Sequence, residues 1–158
     1  MNVSIICVGR LKEKYLKDAV DEYKKRLSRF CKFEITEISD QKIPDNANDK
    51  ICEQILEKEG DLILSKIKND SFVVAMCVEG QLISSEDLAK SISDVSMKTG
   101  NIVFIIGGSL GISQKVKKRA NISVSFGRIT LPHQLMRVVL AEQIYRAFKI
   151  NANETYHK

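Results

Sequence analysis

Tryptophan is absent from this chain of 158 residues, and proline and histidine occur only twice each. With His133 and His157 as the two histidines, and Cys7, Cys31, Cys52 and Cys77 far apart, no pair of ligands stands at the spacing of a zinc site, and no metal is expected. Each cysteine lies in or beside an apolar segment, the setting of buried, reduced thiols. No apolar run approaches the ~20 residues that span a bilayer, so no membrane partner is expected. The opening MNVSIICVG lacks the basic start and small-residue cleavage site of a signal peptide, which makes cytoplasmic residence the expectation. Two nucleotide signatures are missing as well. No Gly-Lys-Ser/Thr completes a P-loop, and only Gly9 follows the first strand, where a dinucleotide fingerprint would need three glycines.

What is present describes one folded domain over residues 1–158. The chain is 44% hydrophobic and 28% charged, ordinary for a globular protein with a real core. The net charge of +5 is unevenly spread. Residues 1–110 carry 16 Lys and Arg against 18 Asp and Glu, whereas residues 111–158 carry 9 against 2. A last third so basic points to an anionic partner, with nucleic acid first, or else to a solvated basic surface.

Apolar runs at Asn2–Val8, Ser71–Val78, Asn101–Ile106 and Ile122–Phe126 read as strands, as does Lys32–Ile38, whose apolar alternation slips at its end. Between the first two, Leu16, Val20, Tyr23, Leu27 and Phe30 recur at steps of four and three, the stripe of an amphipathic helix. Asn48 or Asp49 caps a second helix bearing Ile51, Ile55, Leu62 and Ile67, with Gly60 as its weak point. Glu79-Gly80 reads as a turn. Ser84-Ser85-Glu86-Asp87 has a capping-box pattern, opening a helix with Leu88, Ile92 and Val95 inside and Gly100 at its end. A short basic helix, QKVKKRA, precedes the last strand. Strands apolar on both faces and separated by helices imply an α/β domain: a mostly parallel sheet with helices on both sides.

Two stretches carry chemistry. Gly107-Gly108-Ser109-Leu110-Gly111 lies at the carboxyl end of a strand, where open α/β sheets bind ligands and where glycine lets backbone N–H groups come close. Its alternative reading is a tight strand-to-helix turn. The second stretch is SFGRITLPHQLMRVVLAEQIYRAFKI, residues 125–150. Met136, Leu140, Ile144, Ala147 and Phe148 form one apolar arc, while Leu135, Val138, Val139 and Tyr145 fall outside it. A helix apolar almost all round needs cover on two sides, and a second copy of the chain is the simplest cover. Arg137 falls inside the arc. A buried guanidinium requires a partner, in a structural ion pair or in a dry pocket beside the Phe126–Pro132 loop. His133 opens this helix as a capping, packing or functional residue. The chain ends Tyr156-His157-Lys158.

GGSLG, the SFGRITLPHQL stretch with its helix, the terminal YHK and the initial VGRLKEKYLKDAVDEYKKRL together resemble the SPOUT class of methyltransferases, in the branch acting on large-subunit ribosomal RNA. The likeness spans essentially the whole chain. It implies a trefoil-knotted C-terminal part, which no periodicity reveals. It also implies S-adenosylmethionine as methyl donor, N3 of a pseudouridine in bacterial 23S rRNA as acceptor, the assembled ribosome as substrate and a homodimer as the working form. Carried onto this chain, the cofactor residues are Met76, Gly107, Phe126, Gly127, Arg128, Ile129, Thr130 and Leu131. The family often has Leu at the position of Met76 and Ser-Lys at Gly127-Arg128. Backbone contacts survive the second change, and a side-chain role there does not. In the chemistry that follows from the resemblance, Arg137 stabilises charge on the acceptor ring, His157 or His133 takes the N3 proton, and Tyr156 stacks on the base. Lys115, Lys117, Lys118, Arg119, Arg128 and Lys158 hold phosphates. The competing function is a non-enzymatic basic protein that binds RNA or the ribosome and needs no cofactor.

Overall fold

A computed structural model describes residues 1–156. Its elements alternate along the chain: β1 (Asn2–Val8), α1 (Lys14–Leu27), β2 (Lys32–Ile38), α2 (Asp49–Ser65), β3 (Phe72–Leu82), α3 (Ser85–Lys98), β4 (Asn101–Ile106), α4 (Gln114–Arg119), β5 (Ile122–Ser125) and α5 (His133–Asn151). The five strands form one sheet in the order β2-β1-β4-β3-β5, and every ladder in it is parallel. This is the α/β sheet expected from the apolar runs.

The strands sort their side chains by the two-residue period. Val3, Ile5, Cys7, Val74 and Phe104 point to one face, where they meet Leu27 of α1, Leu88 and Ile92 of α3, and Leu140 and Ile144 of α5. Ile6, Val8, Val73, Ala75, Val103 and Ile105 point to the other, under Ile63 of α2 and Val116 of α4. Both faces are therefore covered, which is why the strand sequences are continuously apolar. Phe104 and Ile5 at the sheet centre are wholly buried; each such side chain contributes roughly 1.5–3 kcal/mol.

Local signals agree with this frame at most ends. Asn48 caps α2 through its side chain, accepting from the Ile51 amide at 3.0 Å. Ser84 and Asp87 form the reciprocal capping box of α3, and Gly100 follows that helix with φ +66°.

Three expectations change. Glu79-Gly80 is not a turn that ends a strand: β3 continues to Leu82 and bulges instead, its register with β5 jumping between Met76 and Gln81. Gly80 is needed there, since a Cβ would lie 2.7 Å from the Val124 backbone. The last strand is shorter than read, stopping at Ser125 and leaving Phe126 to the loop. On α2 the inward residues are Ile55, Glu59, Gly60 and Ile63, while Leu62 is exposed and Ile67 lies beyond the helix. Gly60 sets that phase, because a Cβ on it would meet Ser113 Oγ at 2.3 Å; it is the point where α2 touches the segment leading into α4.

Candidate active site

Two loops leave the strands that flank β3 at the carboxyl end of the sheet. Residues 107–113 follow β4, and residues 126–132 follow β5, on either side of β3. The first is a tight bend. The Gly111 amide donates to the Gly108 carbonyl at 3.0 Å, and Gly111 has φ +85°. A Cβ on Gly107 would stand 2.2 Å from the Gly111 carbonyl oxygen, so only glycine fits. The second loop is pinned to the β3 bulge by Arg128, whose Nη1 donates to the Val78 carbonyl and, at 2.9 Å, to the Gly80 carbonyl. Within it the Ser125 hydroxyl accepts from the Gly127 amide at 3.2 Å.

Between the loops lies a cleft of about 610 Å³, a usual size for a small-molecule site. All eight cofactor positions inferred from the resemblance line it: Met76, Gly107, Phe126, Gly127, Arg128, Ile129, Thr130 and Leu131. His133 and Met136 close it from the start of α5, and Glu79 and Lys117 from the bulge and α4. Sequence reasoning missed Glu79 and assigned Lys117 to phosphate rather than to this wall. The short spacing of a turn-like Glu-Gly and a basic helix gave no sign that they pair at 2.5 Å, a contact that holds the Glu79 carboxyl below its usual range.

The wall of the cleft combines apolar side chains with the backbone of two glycine-containing loops. That is the donor set for a nucleoside with a zwitterionic tail: a planar base against Met76 and Leu110, and polar ends on main-chain groups. S-adenosylmethionine fits this description. The Arg128 side chain acts structurally, fastening its loop to two main-chain carbonyls of β3.

Of the three catalytic candidates among the described residues, His133 and Arg137 meet beside Gly9, and Tyr156 lies elsewhere. His133 lines the cleft, half-buried at the N-terminus of α5 beside Gly9. Burial first, then the Arg137 charge, push its imidazole below the ordinary histidine value, which keeps it neutral and able to accept a proton near pH 7.

Arg137 is completely buried, but its guanidinium turns away from the cleft. Nη1 donates to Glu37 Oε1 at 2.8 Å, and Nη2 to the Val8 and Gly9 carbonyls at 3.0 and 2.8 Å. Of its two sequence readings, the geometry is that of the structural pair. The physical reason is that the carbonyls at the end of β1 and a carboxylate on β2 converge on it, and together they outbid an apolar cleft for a charge.

Tyr156 packs on its own α5, far along the helix from His133. Its ring meets Tyr145 edge-on at 5.0 Å, lies under Arg146 at 4.8 Å, and donates its hydroxyl to Glu142 at 3.2 Å. Burial and the Glu142 charge push its phenol up to about 12. His157 and Lys158 lie outside the described residues.

The basic third is largely spoken for. Lys115 pairs with Glu57 and Asp61, Lys117 with Glu79, and Arg119 donates to the carbonyls of Lys68, Asn69 and Ser71. Of the phosphate-binding residues expected, Lys118 is exposed and makes no ion pair among the described residues. The sequence-level charge excess therefore overstates the free positive surface. Apolar exposure is more telling. Val78, Leu82, Ile129, Leu131 and Leu135 are exposed around the cleft mouth and the first turn of α5.

Comparison with known proteins agrees with the site. Residues 1–157 match the family model described as predicted SPOUT methyltransferase. Over the full length of both chains, this sequence is 57% identical to the ribosomal RNA large subunit methyltransferase H of Clostridium novyi. It is likewise 58% identical to that of Clostridium perfringens strain SM101, which carries the designation H 1, and 55% identical to that of Streptococcus pneumoniae strain CGSP14.

Proposed function

The chain belongs to the SPOUT methyltransferases, and from that premise we propose that it methylates N3 of a pseudouridine in 23S rRNA, using S-adenosylmethionine, as a homodimer acting on the assembled ribosome in the cytoplasm. The relatives' names support large-subunit rRNA as the substrate class. The observation that carries the reading is the cleft itself, formed by two separate backbone loops that converge beside a neutral histidine. A knotted C-terminal part belongs to the same reading, and the family match supports it.

Bound in the cleft, S-adenosylmethionine supplies an electrophilic methyl group. The remaining work falls to the chain's own residues. Met76, Gly107 and the 126–131 loop would hold and orient the donor, whose proximity to the acceptor would supply part of the rate. His133 takes the N3 proton, directly or through water, at its unprotonated ring nitrogen. Arg137 serves as a positioning residue: it ties the end of β1 to α5 and so fixes the turn from which His133 projects. Tyr156, which packs on α5 away from its own cleft, serves in this reading the cleft of a second copy. The exposed apolar rim at Val78, Leu82, Ile129, Leu131 and Leu135 is the surface that copy covers.

The test is to incubate the protein with labelled methyl donor and ribosomal particles from a strain lacking it, then map the label. A single labelled pseudouridine in 23S rRNA is expected. Label elsewhere, or none, overturns the reading. Equal methylation of protein-free 23S rRNA overturns the choice of the assembled ribosome.

A further inference from the structure

One buried ionisable group is not used by any of this. Glu59, in the middle of α2, is 5% exposed. Its Oε1 accepts from the Gln41 amide at 3.1 Å, which ties α2 to the loop after β2. Its Oε2 is buried with no hydrogen-bond partner. Burial raises the carboxyl above its ordinary value. An unpaired carboxylate oxygen costs about 1–3 kcal/mol or more, and such atoms persist where a partner arrives in another state.

Position identifies that partner. A methyl group built on Gly108 would lie 3.6 Å from Glu59 Oε2 and 3.0 Å from Val8 Cγ1. The orphaned oxygen therefore sits directly behind the glycine loop, on the side opposite the cleft, and Glu59 itself does not line the cleft. Gly108 is also the residue whose carbonyl closes the bend with Gly111. Gly108 is thus the part of the bend nearest to Oε2 by this measure, and Val8 is the side chain beside both. The Gln41 contact holds the carboxylate in place.

We propose that Glu59 is a positioning residue for the methyl-donor site: when the cleft fills, the glycine loop settles back and donates a main-chain hydrogen bond to Glu59 Oε2. Cofactor binding thus gives Oε2 a hydrogen-bond partner, and part of the affinity comes from a carboxylate that never touches the cofactor. The proposal rests on the reading of the cleft as an S-adenosylmethionine site.

Calorimetric titration of the full chain with S-adenosylmethionine tests it in Glu59→Gln, alongside thermal unfolding of the free protein. The Gln side chain can still accept from the Gln41 amide, but it presents an amide donor where Oε2 stood. The expected result is a Tm within a few degrees of the wild type and a Kd weakened about ten-fold, the effect of one charge-assisted hydrogen bond. A lower Tm with Kd within two-fold of wild type means a merely structural residue and overturns the proposal. Should the variant not fold, the carboxyl carbon of Glu59 in labelled wild-type protein is followed by NMR during titration. A shift at saturation supports the new hydrogen bond, and a stationary signal overturns it. Wild-type protein that binds no S-adenosylmethionine overturns the cleft assignment itself, and the Glu59 proposal with it, whereas binding by wild type and variant alike overturns the Glu59 proposal alone.

Discussion

The two ends of α5 each pair an arginine with a glutamate, and they do so for different ends. Near the N-terminus, Arg137 reaches a carboxylate 100 residues away on β2, and its side chain is wholly buried. Two turns later, Arg146 meets Glu142 on its own helix at 2.7 Å, with side chains 26% and 18% exposed. The first pair is a tertiary contact that locks the sheet's carboxyl edge to the helix beneath the cleft. The second is a local pair that only gains importance because the Tyr156 ring lies on Arg146. One chemical motif therefore holds the fold together at one end of the helix and dresses a surface at the other.

That contrast predicts its largest effect at Arg137. Arg137→Met keeps the volume apolar but leaves Glu37 with the Leu11 amide alone and removes the donor to the Val8 and Gly9 carbonyls. The expected loss of stability is about 3 kcal/mol, the low end for breaking a buried pair because Glu37 is partly solvated. Urea unfolding measures it. A loss below 1 kcal/mol would mean that the two ends of α5 are equivalent after all.

His133 sharpens the same end chemically. His133→Asn should lower the methylation rate about a hundred-fold, the ordinary contribution of a proton acceptor, with little change in Tm. The pH profile carries a sign. Burial and Arg137 depress the imidazole's value in the folded protein, so the unfolded chain binds the proton more readily. Stability is full above the ordinary histidine value and declines as pH falls through the depressed one. Activity through a neutral imidazole declines over the same acid range. A rate that already halves above pH 6.5 contradicts both the depressed value and the role.

Gly107→Ala acts on the cleft rather than on α5. Its methyl group would sit against the Gly111 carbonyl, a main-chain atom that cannot step aside alone. About 1–3 kcal/mol of overpacking is expected, with S-adenosylmethionine affinity reduced about ten-fold or more in calorimetry.

These residues also mark how far the sequence can be read. The bounds of β1, β2 and β4 are visible because each is a short apolar run stopped by glycine or charge, and the caps of α2 and α3 because Asn48 and Ser84 act within three residues. Such signals are local. The β3 bulge is not legible, since Glu-Gly looks like a turn unless β5 is known to press on Gly80. Periodicity also marks Arg137 as buried without saying by what, because Glu37 is remote in sequence. The cleft is legible only by resemblance: pattern alone shows GGSLG as a bend, and nothing in spacing brings residues 126–131 across β3 to face it. Charge misleads for a related reason, since Lys115 and Lys117 are counted as free until the carboxylates of α2 and the bulge are folded against them.

The smallest expected effect belongs to Arg146. Its ion pair with Glu142 is an i,i+4 contact partly open to water, worth under about 1 kcal/mol. The cation above the Tyr156 ring adds about 0.5–1 kcal/mol more. Arg146→Ala should therefore barely move the urea midpoint, yet it removes the cation over the Tyr156 ring and leaves that ring to Glu142 and its tyrosine neighbours. If the tail of one copy completes the cleft of the other, the rate of methyl transfer falls several-fold while S-adenosylmethionine binding is retained. Stability and rate that fall together, as they must for Arg137→Met, would erase the distinction between the two ends of the helix.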